Sequence, residues 1–149
     1  MLNIKLICVG KLKEKFYKDA CAEYEKRLGG LCRLEICQLD EERGGVAAEA
    51  ASVLARVPKG AFVISMCVEG AQLSSEELAQ KIDALQTGGC GSLCFIIGSS
   101  NGLDESVKAA SALRLSMSRM TFPHHLARVM VLEQIYRALS IMRGGKYHK

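Results

Sequence analysis

Tryptophan is absent from the 149 residues, and phenylalanine and tyrosine together make up only 5% of them. Any core must therefore be built from aliphatic residues, alanine, cysteine and methionine. No Cys-x-x-Cys pair occurs among the seven cysteines, and their number is odd. That spacing points away from a disulfide framework or a cysteine-held zinc and towards reduced thiols serving as small core residues. No Gly-x-Gly-x-x-Gly and no Gly-Lys-Ser/Thr appears, so neither the dinucleotide fingerprint nor a P-loop is present. No apolar run reaches membrane-spanning length. The segment from Met1 to Gly10 is too short and too interrupted for a signal peptide, so a cytoplasmic location is expected. Of the three histidines, His124 and His125 are adjacent. Neighbours on a helix point about 100° apart, a poor arrangement for a metal, and no metal is expected.

The residues that are present describe a packed domain. Hydrophobic residues make up 49% and charged residues 24%; the net charge is +4 and the isoelectric point about 8.7. This composition argues against disorder, and the length suits one domain over residues 1–149. Strands and helices alternate. Strands are expected at Asn3 to Val9, Leu31 to Leu39, Ala61 to Val68, around Leu93 to Ile97, and from Leu113 to Met120. The third has no charge in it, as in strands buried on both faces. Helices are expected from Lys13 to Leu28, Val46 to Arg56, Ser74 to about Gln86, Asp104 to Leu113, and from Pro123 onward. Ser74-x-x-Glu77 fits a capping box, and Pro123 suits a first helical position. The alternation implies an α/β fold, a mostly parallel sheet with helices on both faces. Such sheets take ligands past the carboxyl ends of their strands. There the loops begin near Glu69-Gly70, Gly98 and Ser118.

Four stretches invite a functional reading, each beside a plainer one. The Gly98 to Gly102 loop has the make-up of a backbone cradle for phosphate or a nucleoside edge, and equally of a strand-to-helix turn. Arg128 falls on the same helical stripe as Leu132, Ile135 and Leu139. A cation there is costly unless paired. It either floors a pocket for an anionic group, pairs with an internal carboxylate, or snorkels to solvent. Glu133 and Arg137, at i,i+4 spacing, read as a solvated pair. The tail Lys146-Tyr147-His148-Lys149 reads as a frayed end or as a nucleotide clamp that stacks, meets phosphate and titrates near neutrality. The lysines of the first thirty residues, offset by acids, read as an RNA-contacting patch or, more plainly, as a solvated face.

Several blocks carry a resemblance from end to end. Gly10 to Lys15, Ala22 to Leu28, Phe95 to Leu103, Met120 to His124, and the ending Ile141 to Gly144 with Tyr147-His148-Lys149 resemble the RlmH family of ribosomal large-subunit pseudouridine methyltransferases, in the SPOUT superfamily. The resemblance implies a C-terminal trefoil knot around S-adenosylmethionine, a homodimer, and methylation of N3 of a pseudouridine in 23S rRNA of assembled ribosomes. It places the methyl-donor contacts on Met66, Gly98, Met117, Ser118, Arg119, Met120, Thr121 and Phe122. Arg128, Tyr147 and His148 fall on the substrate side, with Arg128 expected to stabilise the imide anion and His148 to accept or orient its proton. Where the family commonly has two glycines, this chain has Gly98-Ser99, and its connector at residues 40–46 is shorter than in some members. Two rivals remain: a non-catalytic ribosome- or RNA-binding protein with a decayed donor site, and a small flavodoxin-like nucleotide or flavin binder.

Overall fold

The computed structural model describes all residues, 1–149. The chain alternates β1 (Asn3–Val9), α1 (Lys15–Leu28), β2 (Arg33–Leu39), α2 (Val46–Arg56), β3 (Phe62–Gln72), α3 (Ser75–Thr87), β4 (Ser92–Ile97), α4 (Glu105–Ala109), β5 (Leu113–Ser116) and α5 (His124–Met142). One five-stranded sheet, ordered β2-β1-β4-β3-β5, is parallel throughout. Its central strands β1 and β4 are almost wholly buried, as their charge-poor sequences require.

The sheet separates two unequal cores. Ile4, Leu6 and Cys8 of β1 and Leu93, Phe95 and Ile97 of β4 face a cluster of 21 buried residues. The alternate positions Ile7, Val9, Cys94 and Ile96 face a cluster of only 8. The period-two alternation of the strands produces this division. Helices α1 and α3 flank α5 on the thick side, and α2 meets α4 on the thin side. The chain thus has helices on both faces of the sheet.

Several boundaries differ from the sequence expectations. The helix expected from Asp104 to Leu113 ends at Ala109. Ser111 Oγ bonds back to Val107 O, and Ala112 N–H leaves the helix to pair with Val63 O, so the sheet takes the segment over. The fifth strand, expected to reach Met120, stops at Ser116. There Ser116 Oγ donates to Ser118 O and Ser118 Oγ accepts from Met120 N–H, a turn closed by serine hydroxyls. The third strand runs past its expected end at Val68 to Gln72, with a bulge: Met66 and Ala71 both pair with Leu115. Pro123, expected as the first helical residue, is instead the N-cap of α5, with ψ 139°. The capping box forms as expected, with Glu77 N–H donating to Ser74 Oγ and Ser74 N–H to Glu77 Oε1.

Candidate active site

The carboxyl ends of β3, β4 and β5 open onto a cleft of about 710 Å³. Its walls are the bulge of β3 at residues 66–69, the turn Gly98 to Leu103, the turn Met117 to Phe122, and the first residues of α5. Two glycines permit this convergence. A Cβ on Gly98 would stand 2.3 Å from Gly102 O, inside the turn itself. A Cβ on Gly70 would stand 2.7 Å from the carbonyl of Arg114, where the bulge lies against β5. No side chain fits either gap, so backbone approaches backbone. Lys108 pairs with Glu69 across the rim. Met120 is 74% exposed at the mouth, a large apolar side chain with nothing covering it.

Of the eight sequence-expected donor contacts, all but Arg119 line this cleft; Arg119 is exposed and lies outside the lining. Residues not singled out beforehand join them: Leu103, Lys108, His124 and Ala127. Burial, then His125 and the charge of Arg128, hold His124 below its ordinary pKa of 6.5, against the opposing pull of Glu41 and Glu14. A smaller cavity of about 300 Å³ lies between α3 and α5 and shares Met66, Leu115 and Met117 with the cleft.

The three substrate-side residues are not gathered at the cleft of a single chain. Arg128 is buried on the stripe with Leu132, Ile135 and Leu139. It does not line the cleft, pairs with no carboxylate and does not snorkel. Its Nη2 donates to Gly10 O at 2.8 Å and its Nη1 to Gln38 Oε1 at 3.0 Å. A buried cation with only neutral acceptors keeps most of its charge unanswered. That charge fastens α5 to the end of β1 and reaches His124 through space.

Tyr147 and His148 lie along the outer half of α5. Tyr147 stacks edge-on against Tyr136, with centroids 4.7 Å apart, and donates to Glu133 Oε1. Arg27 and Arg137 lie over its ring. Hydrogen bonding with Tyr24, burial and the Glu133 carboxylate push its phenol up to about 12. His148 meets Arg137 Nη1 at 3.0 Å through Nδ1, and Glu76 through Nε2. The expected solvated pair of Glu133 and Arg137 is instead the half-buried hub of this network, at 2.7 Å. The tail is docked, and no periodicity argument foretold that, because its partners come from three separate elements, α1, α3 and α5.

The cysteines are all free. Burial pushes Cys8 up to about 12 and Cys32 and Cys94 up to about 11, so none of the three is a thiolate at neutral pH. No group of three or more histidine, cysteine or acidic side chains is placed to hold a metal ion. No helix is long and apolar enough to cross a membrane.

A parallel sheet whose strand-end turns enclose a glycine-dependent cleft beside a long C-terminal helix defines an α/β protein of the class whose ligand sites lie at that edge. The family model described as "Predicted SPOUT methyltransferase" matches residues 2–148; the chain belongs to that family and is a methyltransferase. Among curated relatives, the protein named ribosomal RNA large subunit methyltransferase H of Clostridioides difficile (strain 630) is 43% identical over 159 residues, covering 99% of this chain and 100% of its own. Its namesake from Clostridium beijerinckii is 45% identical with the same coverage. Among solved structures, a probable methylase family protein from Haemophilus influenzae Rd KW20 superposes with a TM-score of 0.59 at 14% identity, over 98% of this chain and 70% of that one. A probable methyltransferase from Bordetella pertussis Tohama I gives 0.56 at 12% identity, over 91% of this chain and 95% of that one. At such identities these two structures speak for the fold.

Proposed function

We propose that this methyltransferase takes its methyl group from S-adenosylmethionine in the cleft and delivers it to N3 of a pseudouridine in 23S rRNA, on assembled ribosomes in the cytoplasm, as a homodimer with a knotted C-terminal half. The observation that carries the donor assignment is the Gly98–Gly102 turn: the carbonyl of Gly102 fills the space a side chain at Gly98 would need. This leaves an open backbone edge beside the apolar surface of Ile97, Leu103 and Phe122. A nucleoside needs both features, a flat apolar slot and backbone polar groups at its rim. The volume of the cleft suits a ligand of that size. Ser99 does not spoil it, because its hydroxyl is engaged by Glu49.

The donor's sulfonium supplies an already activated methyl group, so the protein's part is positioning. Met66, Gly98 and the turn Met117 to Phe122 hold and orient the donor. His124, kept neutral by burial, borders the place where the acceptor base must enter. The imide N3–H has to lose its proton, and His148 is the group that accepts it as the methyl leaves the donor sulfur for N3. Tyr147 and His148 of one copy, presented from the outer half of α5, complete the cleft of the other; this is why they lie away from the cleft within a single chain. Arg128 acts through its field at His124 rather than by touching the acceptor. A run of rings leads from solvent to the cleft rim. Phe16 and Tyr17 are 4.5 Å apart, Tyr17 and His125 6.1 Å, and His125 and His124 4.0 Å. Lys11, Lys13 and Lys18, all exposed, lie within a few residues of its outer end in the chain. Rings among lysines suit unstacked nucleotides and their phosphates.

The test uses ribosomes from a strain lacking this modification, incubated with the protein and methyl-labelled donor. The label should map to N3 of one pseudouridine in 23S rRNA. Label on another nucleotide would move the substrate assignment, and no label with demonstrable RNA binding would leave a non-catalytic ribosome binder. Sedimentation should give a dimer; a fully active monomer would refute the shared site.

A further inference from the structure

One buried carboxylate takes no part in the chemistry above. Glu49 lies in the first turn of α2 and is 6% exposed. No lysine, arginine or histidine pairs with it. It accepts two hydrogen bonds instead. Glu42 N–H, from the connector between β2 and α2, reaches Oε2 at 3.0 Å. Ser99 Oγ, from the turn after β4, reaches Oε1 at 3.4 Å. Ser99 is itself 5% exposed, and its Oγ accepts from Asn101 N–H at 3.3 Å. The result is one line of polar groups, Asn101 N–H to Ser99 O–H to Glu49, with Glu42 N–H at its far end.

A carboxylate is expensive to bury without a cation, and its position is fixed by whichever donors remain. Here one of those donors is the turn that walls the cleft. The whole turn from Gly98 to Leu103, Ser99 included, lines the cleft, while Glu49 does not line it and meets the turn through the Ser99 hydroxyl. Glycines at 98 and 102, the latter at φ +82°, give the turn its shape but also its freedom. Something has to remove that freedom before a ligand arrives, and the serine that interrupts the glycines supplies the handle.

We propose that Glu49 and Ser99 are positioning residues for the methyl donor: together they hold the Gly98–Gly102 turn in its binding shape and couple donor affinity to the connector at residues 40–45. The inference rests on the donor reading of the cleft. Preorganisation of this kind appears in affinity rather than in the chemical step. Neither residue touches the reacting atoms.

The experiment is calorimetric titration of the full chain with S-adenosylmethionine and with S-adenosylhomocysteine, alongside donor KM and kcat on ribosomes. It compares the unaltered protein with Glu49→Gln, Ser99→Ala and the double variant. Each single change should weaken binding of both ligands by roughly tenfold, the scale of losing one hydrogen bond to a buried charge. The double variant should be little worse than either single one, since both break the same line. Donor KM should rise in step, with kcat at saturating donor within about twofold. A merely structural role would instead lower the amount of active protein and leave the KM of the survivors alone. Unchanged affinities, or losses that simply add, would overturn the proposal. If Glu49→Gln does not fold, Ser99→Ala alone decides. If the unaltered protein itself takes up no S-adenosylmethionine, the donor reading falls and not merely this refinement of it.

Discussion

The two ends of α5 are built on opposite plans. At its C-terminal half every strong polar group is answered: Glu133 accepts from Gln134, Arg137 and Tyr147, and His148 is held between Arg137 and Glu76. At its N-terminal end the accounts stay open. Arg128 has only neutral acceptors, and His125 Nε2 is buried with no partner. His124 stays neutral at the rim, and Met120 stands uncovered beside it. A closed network makes a rigid mount, whereas a set of unanswered groups makes a place where a partner gains free energy by arriving. On the proposed reading, one end of the helix presents a tail and the other receives a ligand. A second copy laid across the first would bring the two together.

Gly98→Ala should separate the ends most sharply. The added carbon meets Gly102 O at 2.3 Å, so the turn must move by about an ångström. A displacement of that size costs on the order of a hundredfold in kcat/KM. Donor titration should show the loss in binding, while the tyrosine signal of the tail, in near-ultraviolet circular dichroism, stays as it was. Were the tail signal to change as much as donor binding, the ends would not be independent.

His148→Ala probes the other end. Donor affinity should stay within about twofold, and turnover on ribosomes should fall by tenfold or more, the lower side of what a positioned proton-transfer group contributes. Unchanged turnover would remove His148 from the mechanism and leave it as the peg that ties the tail to α3. Tyr147→Phe makes a graded companion, since it keeps the ring on Tyr136 and loses only the hydroxyl's bonding to Glu133 and Tyr24.

Arg128→Met should act on stability before activity. Methionine fills similar space and removes the cost of burying a cation, yet it strands the Gly10 carbonyl. An unsatisfied buried acceptor costs about 1–3 kcal/mol, read as a lower midpoint in urea. If donor affinity fell as well, the field of Arg128 at His124 would be felt in the cleft.

Much of this was legible in the sequence where one rule governed a stretch by itself. The charge-free run of β4 could be nothing but a buried strand, and Ser74 with Glu77 set the start of α3. The turns at Gly98 and Ser118 followed from strand-end logic. Legibility failed where distant segments compete for the same atoms. The bulge of β3 depends on Gly70 meeting Arg114, and the early end of α4 depends on Val63 claiming Ala112. The stripe position of Arg128 was readable, but its acceptors were not, since they lie just past β1 and on β2. Glu49 left no trace at all: in an alanine-rich helix a lone glutamate reads as a solvated residue until the fold buries it.

The smallest effect comes from His124. Its folded pKa lies below the ordinary 6.5 because burial, His125 and Arg128 all oppose its charge. The unfolded chain therefore takes up this proton at a higher pH than the folded one does. Stability contributed by the neutral ring is whole above about pH 6.5 and drains away as pH falls from there towards the folded value. The carboxylates held low, Glu23, Glu69, Glu76 and Asp104, start from 4.5 or 3.8 and lose their contribution only at still lower pH, so a comparison of pH 7.5 with pH 5.5 leaves them out. Replacing His124 by glutamine should make the melting temperature less sensitive across that interval, by about 2 °C. An unaltered slope would mean that Glu41, 3.9 Å from the ring, compensates for the burial, and the N-terminal end of α5 would then be as fully answered as the other.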